Sequence, residues 1–302
     1  TASLSLRADE ALGVVGESGS GKTMLCRTLL GTLKRHGARA HGGKIVVQGR
    51  DYLDAAEGDW RRIRGRVIGY VPQSSLAGLN PVLTIGTQLT ESILAVRPMG
   101  RSDARREALD LLEMVHIPRA ASVYQDRPHQ LSGGQRQRIM IATALAQRPK
   151  ILVADEPTTA LDVTTQREIL MLLVKLRREL GMALILVSHD LAVIEEVCDS
   201  VMVMYAGASV EIGPAQGLHS HPRHPYTRAL RVSRVDTAQP GRDLETIPGE
   251  AVSVGLWPQG CRFAARCPMA MPACREAGQP RLQPMGMHLS ACLRAAEMEA
   301  LQ

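Results

Sequence analysis

One octapeptide, Gly16-Glu17-Ser18-Gly19-Ser20-Gly21-Lys22-Thr23, restricts this chain's fold more than any other segment. A short apolar run, residues 11–15, leads into it, and residues 21–33 then read as a helix. Strand, glycine-rich loop and helix, in that order, is the setting in which G-x-x-x-x-G-K-[ST] closes around phosphate. The glycines let successive backbone N–H groups converge on phosphate oxygens at the positive end of the following helix. Lys22 reaches the β- and γ-phosphates, and the Thr23 hydroxyl is placed to ligate Mg²⁺. A chance glycine-rich turn would lack both flanks. The expectation is an α/β fold that binds a nucleoside triphosphate.

The pattern downstream agrees with such a fold. Residues 44–48 with the turn Gly49-Arg50-Asp51 suggest an antiparallel strand, and residues 66–71 form a second run ending at Pro72-Gln73. From 74 to 149 the periodicity is helical, with Ser102 expected to cap residues 103–116 and Ser132 to cap residues 133–147. Residues 151–154 and 183–187 are strands of the buried type, separated by a helix over 164–180 that Gly181 stops. A hairpin over 201–205 and 209–212 closes the pattern. Alternation of this kind predicts a parallel sheet flanked by helices, with residues 74–149 as a helical insertion. The composition turns Pro-, Gly- and Cys-rich after His219, so a boundary is expected at about residue 220, separating residues 1–220 from a small module over 221–302.

Composition removes other classes. An apolar fraction of 45% over 302 residues supports a packed core. No stretch reaches the roughly 18–20 uninterrupted apolar residues of a membrane-spanning helix. The net charge of +6 is interspersed with acids, and only 3% of residues are aromatic, which disfavours a nucleic-acid surface. Residues 5–10 are polar where a signal peptide would be apolar, and no initiator Met precedes them, so the start of the natural chain is expected to lie outside this sequence.

Asp155-Glu156 follows the apolar run 151–154. Alone, such a pair is more often a solvated strand end. Its company decides otherwise, because Leu131-Ser132-Gly133-Gly134-Gln135 lies upstream, Ala160-Leu161-Asp162 follows, and Val187-Ser188-His189-Asp190 comes later. With these motifs in order, the chain resembles the ATP-binding cassette (ABC) ATPases: a RecA-like core with an antiparallel β subdomain and a helical insertion. The resemblance implies that Asp155 holds Mg²⁺ together with Thr23 and Gln73, and that Glu156 is the general base. It makes Gln73 the Q-loop glutamine, which senses Mg²⁺ and the attacking water, and His189 the switch histidine. Ser132, Gly133, Gly134 and Gln135 would touch ATP held by a partner, and Asp162 would belong to the loop that communicates across the dimer. No aromatic precedes the phosphate loop to stack on adenine, and no such residue is named.

Within that family the chain resembles the oligopeptide/dipeptide import branch. The segments are Leu79-Asn80-Pro81-Val82-Leu83-Thr84-Ile85-Gly86, Asp155–Val163, and His224-Pro225-Tyr226-Thr227. Importers of nickel and metal chelates share much of this and are the alternative. The branch implies a peripheral subunit on the cytoplasmic face of a bacterial membrane. Its partners would be a second, different ATPase chain, two transmembrane permeases and an extracytoplasmic substrate-binding protein. Cys26 and Cys198 read as buried core thiols. Cys261, Cys267, Cys274 and Cys292 are spaced C-x5-C-x6-C-x17-C. A reducing compartment disfavours disulfides. The spacing departs from common zinc ribbons and fits a [4Fe–4S] cluster better, an expectation the branch resemblance also carries. Zn²⁺ and free thiols remain the alternatives. A soluble cassette ATPase acting on nucleic acid or ribosomes is the reading from another class, but Arg262, Arg266, Arg275 and Arg281 are scattered, not striped.

Overall fold

The computed structural model describes residues 2–233, 246–253 and 255–299. Its strands are β1 (Ala11–Val15), β2 (Val46–Val47), β3 (Arg50–Asp51), β4 (Ile68–Val71), β5 (Ile151–Asp155), β6 (Ala183–Ser188), β7 (Ser200–Tyr205), β8 (Ala208–Pro214), β9 (Gln283–Met285) and β10 (His288–Ser290). Two compact units result. One comprises Thr1–Leu6, Glu10–Leu25 and Leu186–Gln302, the other Arg7–Asp9 and Cys26–Ile185.

In the first unit β1 runs parallel to β7, in register from Leu12↔Ser200 to Val15↔Val203. All five residues of β1 are buried, as expected of a parallel strand covered on both faces. β7 turns back into β8 through Ala206-Gly207, both at positive φ (46° and 79°), the two-residue hairpin geometry. The predicted closing hairpin is therefore present. The C-terminal strand β10 then pairs antiparallel with β8, Leu289 opposite Ile212, and β9 pairs with β10.

In the second unit β4 and β5 are parallel, from Ile68↔Ile151 to Val71↔Ala154. Between them run the helices Ser75–Gly78, Ile85–Leu94, Arg101–Met114, Ala120–Val123 and Gly133–Leu145, the expected helical insertion. Helix Val163–Leu180 is capped by the Asp162 side chain and stopped by Gly181 in the left-handed conformation. The strand β6 carries the chain from this unit into the first.

Three local expectations need correction. The first helix spans Lys22–Leu29, not residues 21–33. Gly31 has φ 64°, and a Cβ there would lie 2.1 Å from the Trp60 ring, so the chain turns beneath the indole. The early hairpin turns at Gln48-Gly49, both at positive φ (52° and 81°), which leaves Arg50 and Asp51 in the strand. Ser102 is not a cap: its helix begins at Arg101 behind Gly100, so Ser102 lies in the first turn.

Candidate functional site

The phosphate loop leaves β1 where the hairpin strand β7 crowds it. A Cβ on Gly16 would meet the Met204 carbonyl oxygen at 2.2 Å, so only glycine fits. The Lys22 ammonium, 5% exposed, donates to the Gly16 carbonyl at 2.7 Å and the Glu17 carbonyl at 3.2 Å. The loop is closed by Ser20 N–H donating to Glu17 O (3.1 Å), and Gly207 N–H donates to Ser20 O (2.8 Å). Ser20 Oγ is buried with no hydrogen-bond partner. A buried hydroxyl without a partner is costly unless a ligand meets it. Beside a buried ammonium and a helix N-terminus, the ligand these groups fit is phosphate. Gly19, Gly21 and Thr23 continue this loop into the helix.

His189 lies in the same unit, exposed, just past the end of β6. Ser188 Oγ accepts from Asp190 N–H at 3.0 Å, and the Asp190 carboxylate caps helix Leu191–Val197 through Ala192 N–H at 2.8 Å. Strand end and helix start are thus both pinned, with the imidazole on the short link between them.

The second unit gathers another set. Asp155 ends β5 and is 1% exposed; Tyr70, from the neighbouring β4, donates its hydroxyl to Asp155 Oδ2 at 3.3 Å. Burial and the adjacent carboxylate push the Tyr70 phenol well above its ordinary range, so it stays a donor. Glu156 follows with φ 45°, a conformation unusual for a residue with a side chain. Its Oε2 accepts from Gln73 Nε2 at 3.2 Å and from Thr159 Oγ1 at 3.1 Å. Gln73 and Glu156, far apart in sequence, are therefore brought together.

The Leu131–Gln135 pentapeptide is a helix start. Ser132 Oγ accepts from Gln135 N–H (3.2 Å) while Gln135 Oε1 accepts from Ser132 N–H (3.0 Å), a reciprocal capping box. Gly134 is needed there, since a Cβ would come within 2.8 Å of Thr165 Cγ2. Thr165 is in turn held by Asp162, which accepts from its N–H at 3.0 Å and its hydroxyl at 2.7 Å. Those bonds hold the Asp162 carboxyl below its usual range. Gly133 faces Leu161 of the same segment.

Cys261, Cys267, Cys274 and Cys292 line one pocket in the first unit, together with Phe263 and His224. None is in a disulfide. Cys261 N–H donates to the Cys274 carbonyl at 2.7 Å, tying two of the four cysteine positions together. Burial pushes the Cys261 and Cys267 thiols up, and Cys292 up to about 11. Among the described residues, no three His, Cys, Asp or Glu side chains are grouped tightly enough to hold a single metal ion. Cys26 and Cys198 are buried and in no disulfide, as expected of core thiols.

Residues 1–159 match the family model for the ABC transporter, and residues 210–274 match that for the oligopeptide/dipeptide transporter C-terminal region. The chain belongs to the ABC transporter family. As an ABC ATPase it binds ATP with Mg²⁺ and hydrolyses it. An ATP-binding protein of Brucella abortus (strain 2308) is 46% identical over 283 residues, covering 94% of this chain and 85% of that protein. The oligopeptide transport ATP-binding protein OppD of Salmonella typhimurium (strain LT2) is 42% identical over 295 residues, covering 97% and 86%. Among solved structures, the dimeric post-hydrolysis state of the ATP-binding cassette MJ0796 bound to ADP and Pi aligns with TM-score 0.62 and 29% identity, over 71% of this chain and 89% of that one. No helix among the described residues is long and apolar enough to cross a membrane.

Three residues of this ABC ATPase escaped the sequence reading. Tyr70 reads as one more apolar residue of a strand. Tyr226 reads in the sequence only as part of the His224–Thr227 motif, yet its hydroxyl accepts from Glu17 N–H at 2.8 Å. Arg266 reads in the sequence only as scattered charge, yet it pairs with the Glu17 carboxylate at 2.7 Å. The signal for the last was Glu17 itself, an acid inside a phosphate loop.

Proposed function

We propose that this chain is the ATP-hydrolysing subunit of a bacterial peptide importer, working from the cytoplasmic face of the membrane. The observation that carries the reading is the C-terminal match over residues 210–274, alongside 42% identity to an oligopeptide transport protein. The same match supports a C-terminal region beginning near residue 220. The partners are a second cassette chain, two transmembrane permeases and an extracytoplasmic substrate-binding protein. The dimeric form of the MJ0796 cassette supports closure of two cassettes around nucleotide.

In this reading the loop Gly16–Thr23 holds the phosphates, and Asp155 with Thr23 and Gln73 serves Mg²⁺. Glu156 polarises the attacking water. The amide of Gln73, bonded to that carboxylate, is the means by which a membrane partner touching the loop can move the base. His189 contacts the γ-phosphate. Ser132 and Gly134 serve ATP held by the partner cassette. Gly133, Gln135 and Asp162 are the frame that keeps them in place.

The four cysteines fit a [4Fe–4S] cluster better than a zinc ion. A zinc site would draw four sulfurs to about 2.3 Å from one centre. Cys261, Cys267, Cys274 and Cys292 line one pocket, and the long loops between them, with Pro268 directly after Cys267, are what favour the cluster. When bound, such a group supplies a fourfold covalent staple to a segment with little regular structure, and Cys261, Cys267, Cys274 and Cys292 hold it.

Affinity purification of the complete native complex tests the main reading. Two hydrophobic permeases and a second cassette should co-purify, with ATPase activity stimulated by peptide-loaded binding protein. Isolation as a lone chain that binds RNA in a salt-sensitive manner would refute it.

A further inference from the structure

A carboxylate is an unwelcome neighbour for a polyphosphate, yet Glu17 is the second residue of the phosphate loop. The C-terminal segment answers that charge. Arg266 donates Nη1–H to Glu17 Oε2 at 2.7 Å and Nη2–H to Oε1 at 3.1 Å, the bidentate fork that suits guanidinium and carboxylate. Its side chain is 6% exposed while that of Glu17 is 27% exposed, so the pair is shielded from the arginine side.

Every other donor of the guanidinium is also used. Nε–H goes to Pro248 O at 2.7 Å, and the remaining N–H bonds go to Ile247 O and the Tyr205 hydroxyl, each at 3.3 Å. The Tyr205 ring lies 5.8 Å from the guanidinium and packs with Tyr226 and Phe263, ring centroids 4.7–5.3 Å apart. Tyr226 adds a second hold, accepting the Glu17 backbone N–H. A third comes through Arg262, which stacks 3.9 Å over Trp257 and donates to Ala206 O, in the turn whose Gly207 bonds Ser20. The segment therefore holds the loop directly at residue 17 and, through the turn between β7 and β8, indirectly at residue 20.

We propose that the nucleotide site of this chain extends into its C-terminal segment, with Arg266 as a positioning residue that cancels the Glu17 charge and fixes the phosphate loop for polyphosphate. The proposal rests on residues 16–23 being the ATP-binding loop. Nucleotide binding by the wild-type complex checks that premise separately. A residue acting through charge has a signature that packing alone lacks: its loss should hurt in proportion to the charge on the ligand.

The test measures binding of Mg·ATP, Mg·ADP and AMP to the assembled complex carrying Arg266→Gln. ATP affinity should fall by at least about tenfold, as for loss of a charge-assisted pair, ADP affinity by less, and AMP affinity least. The double variant Glu17→Gln/Arg266→Gln, which has no naked carboxylate, should bind ATP more tightly than Arg266→Gln. Arg266→Lys keeps the charge without the fork and should preserve the wild-type order of affinities if Arg266→Gln does not fold. Equal losses for all three nucleotides, or a double variant no better than the single one, would overturn the proposal.

Discussion

Gln73 donates its side-chain amide to Glu156 Oε2 at 3.2 Å, so the residue just after β4 and the residue just after β5 share a hydrogen bond. The Thr159 hydroxyl meets the same oxygen at 3.1 Å. Two donors thus orient a carboxylate whose own backbone is held at φ 45°. A base is useful only when aimed, and this arrangement makes its aim depend on the position of Gln73.

Glu156→Gln removes the proton acceptor and leaves the phosphate loop intact. Turnover in the assembled complex should fall by about 10²–10⁴-fold, the span of general-base contributions, while ATP binding is retained. Gln73→Ala keeps the base but loosens its orientation, so its loss should be smaller. Phosphate-release rates and equilibrium binding on the two variants separate these effects. Wild-type rates for Glu156→Gln would remove it from the role.

Much of this was written in the sequence because short-range chemistry dictates it. Ser132 with Gln135 three residues on is a capping box in sequence and in space. The runs that became β1, β5 and β6 are continuous in apolar residues because both faces are covered. What stayed hidden depends on tertiary neighbours. Nothing local says that Trp60 lies where Gly31 turns, or that Arg266 crosses to Glu17. The Ser102 error has the same origin in reverse. A good capping residue was present, but the helix starts at Arg101, behind Gly100 in extended conformation.

The cysteine pocket makes a spectroscopic prediction. Protein purified without oxygen should carry iron and sulfide and show the broad visible absorption of a thiolate-bound cluster. Cys267→Ser should bleach it and lower the unfolding temperature, because the staple over residues 261–292 loses one anchor. A colourless protein containing one zinc per chain would replace the cluster with the zinc alternative.

His224 supplies a pH dependence whose sign is fixed by burial. Its Nδ1 accepts from Tyr226 N–H at 3.1 Å, capping helix Pro225–Val232, while the His224 backbone N–H donates to Glu211 Oε2 at 2.9 Å. The ring is 1% exposed, and burial pushes it down to about 3 from an ordinary value of 6.5. Below 6.5 the unfolded chain takes up a proton that the folded chain refuses until the pH nears 3. The contribution is therefore complete above 6.5 and is lost as the pH falls toward 3, at about 1.4 kcal/mol per pH unit in between. Acidification to about one unit below the ordinary value should cost about 1 kcal/mol from this residue alone. His224→Asn keeps a capping side chain that does not titrate. Its Tm should be lower than that of the wild type at neutral pH and should fall less steeply on acidification. Thermal melts of both proteins across that range decide it: parallel slopes would mean that another group carries the pH dependence.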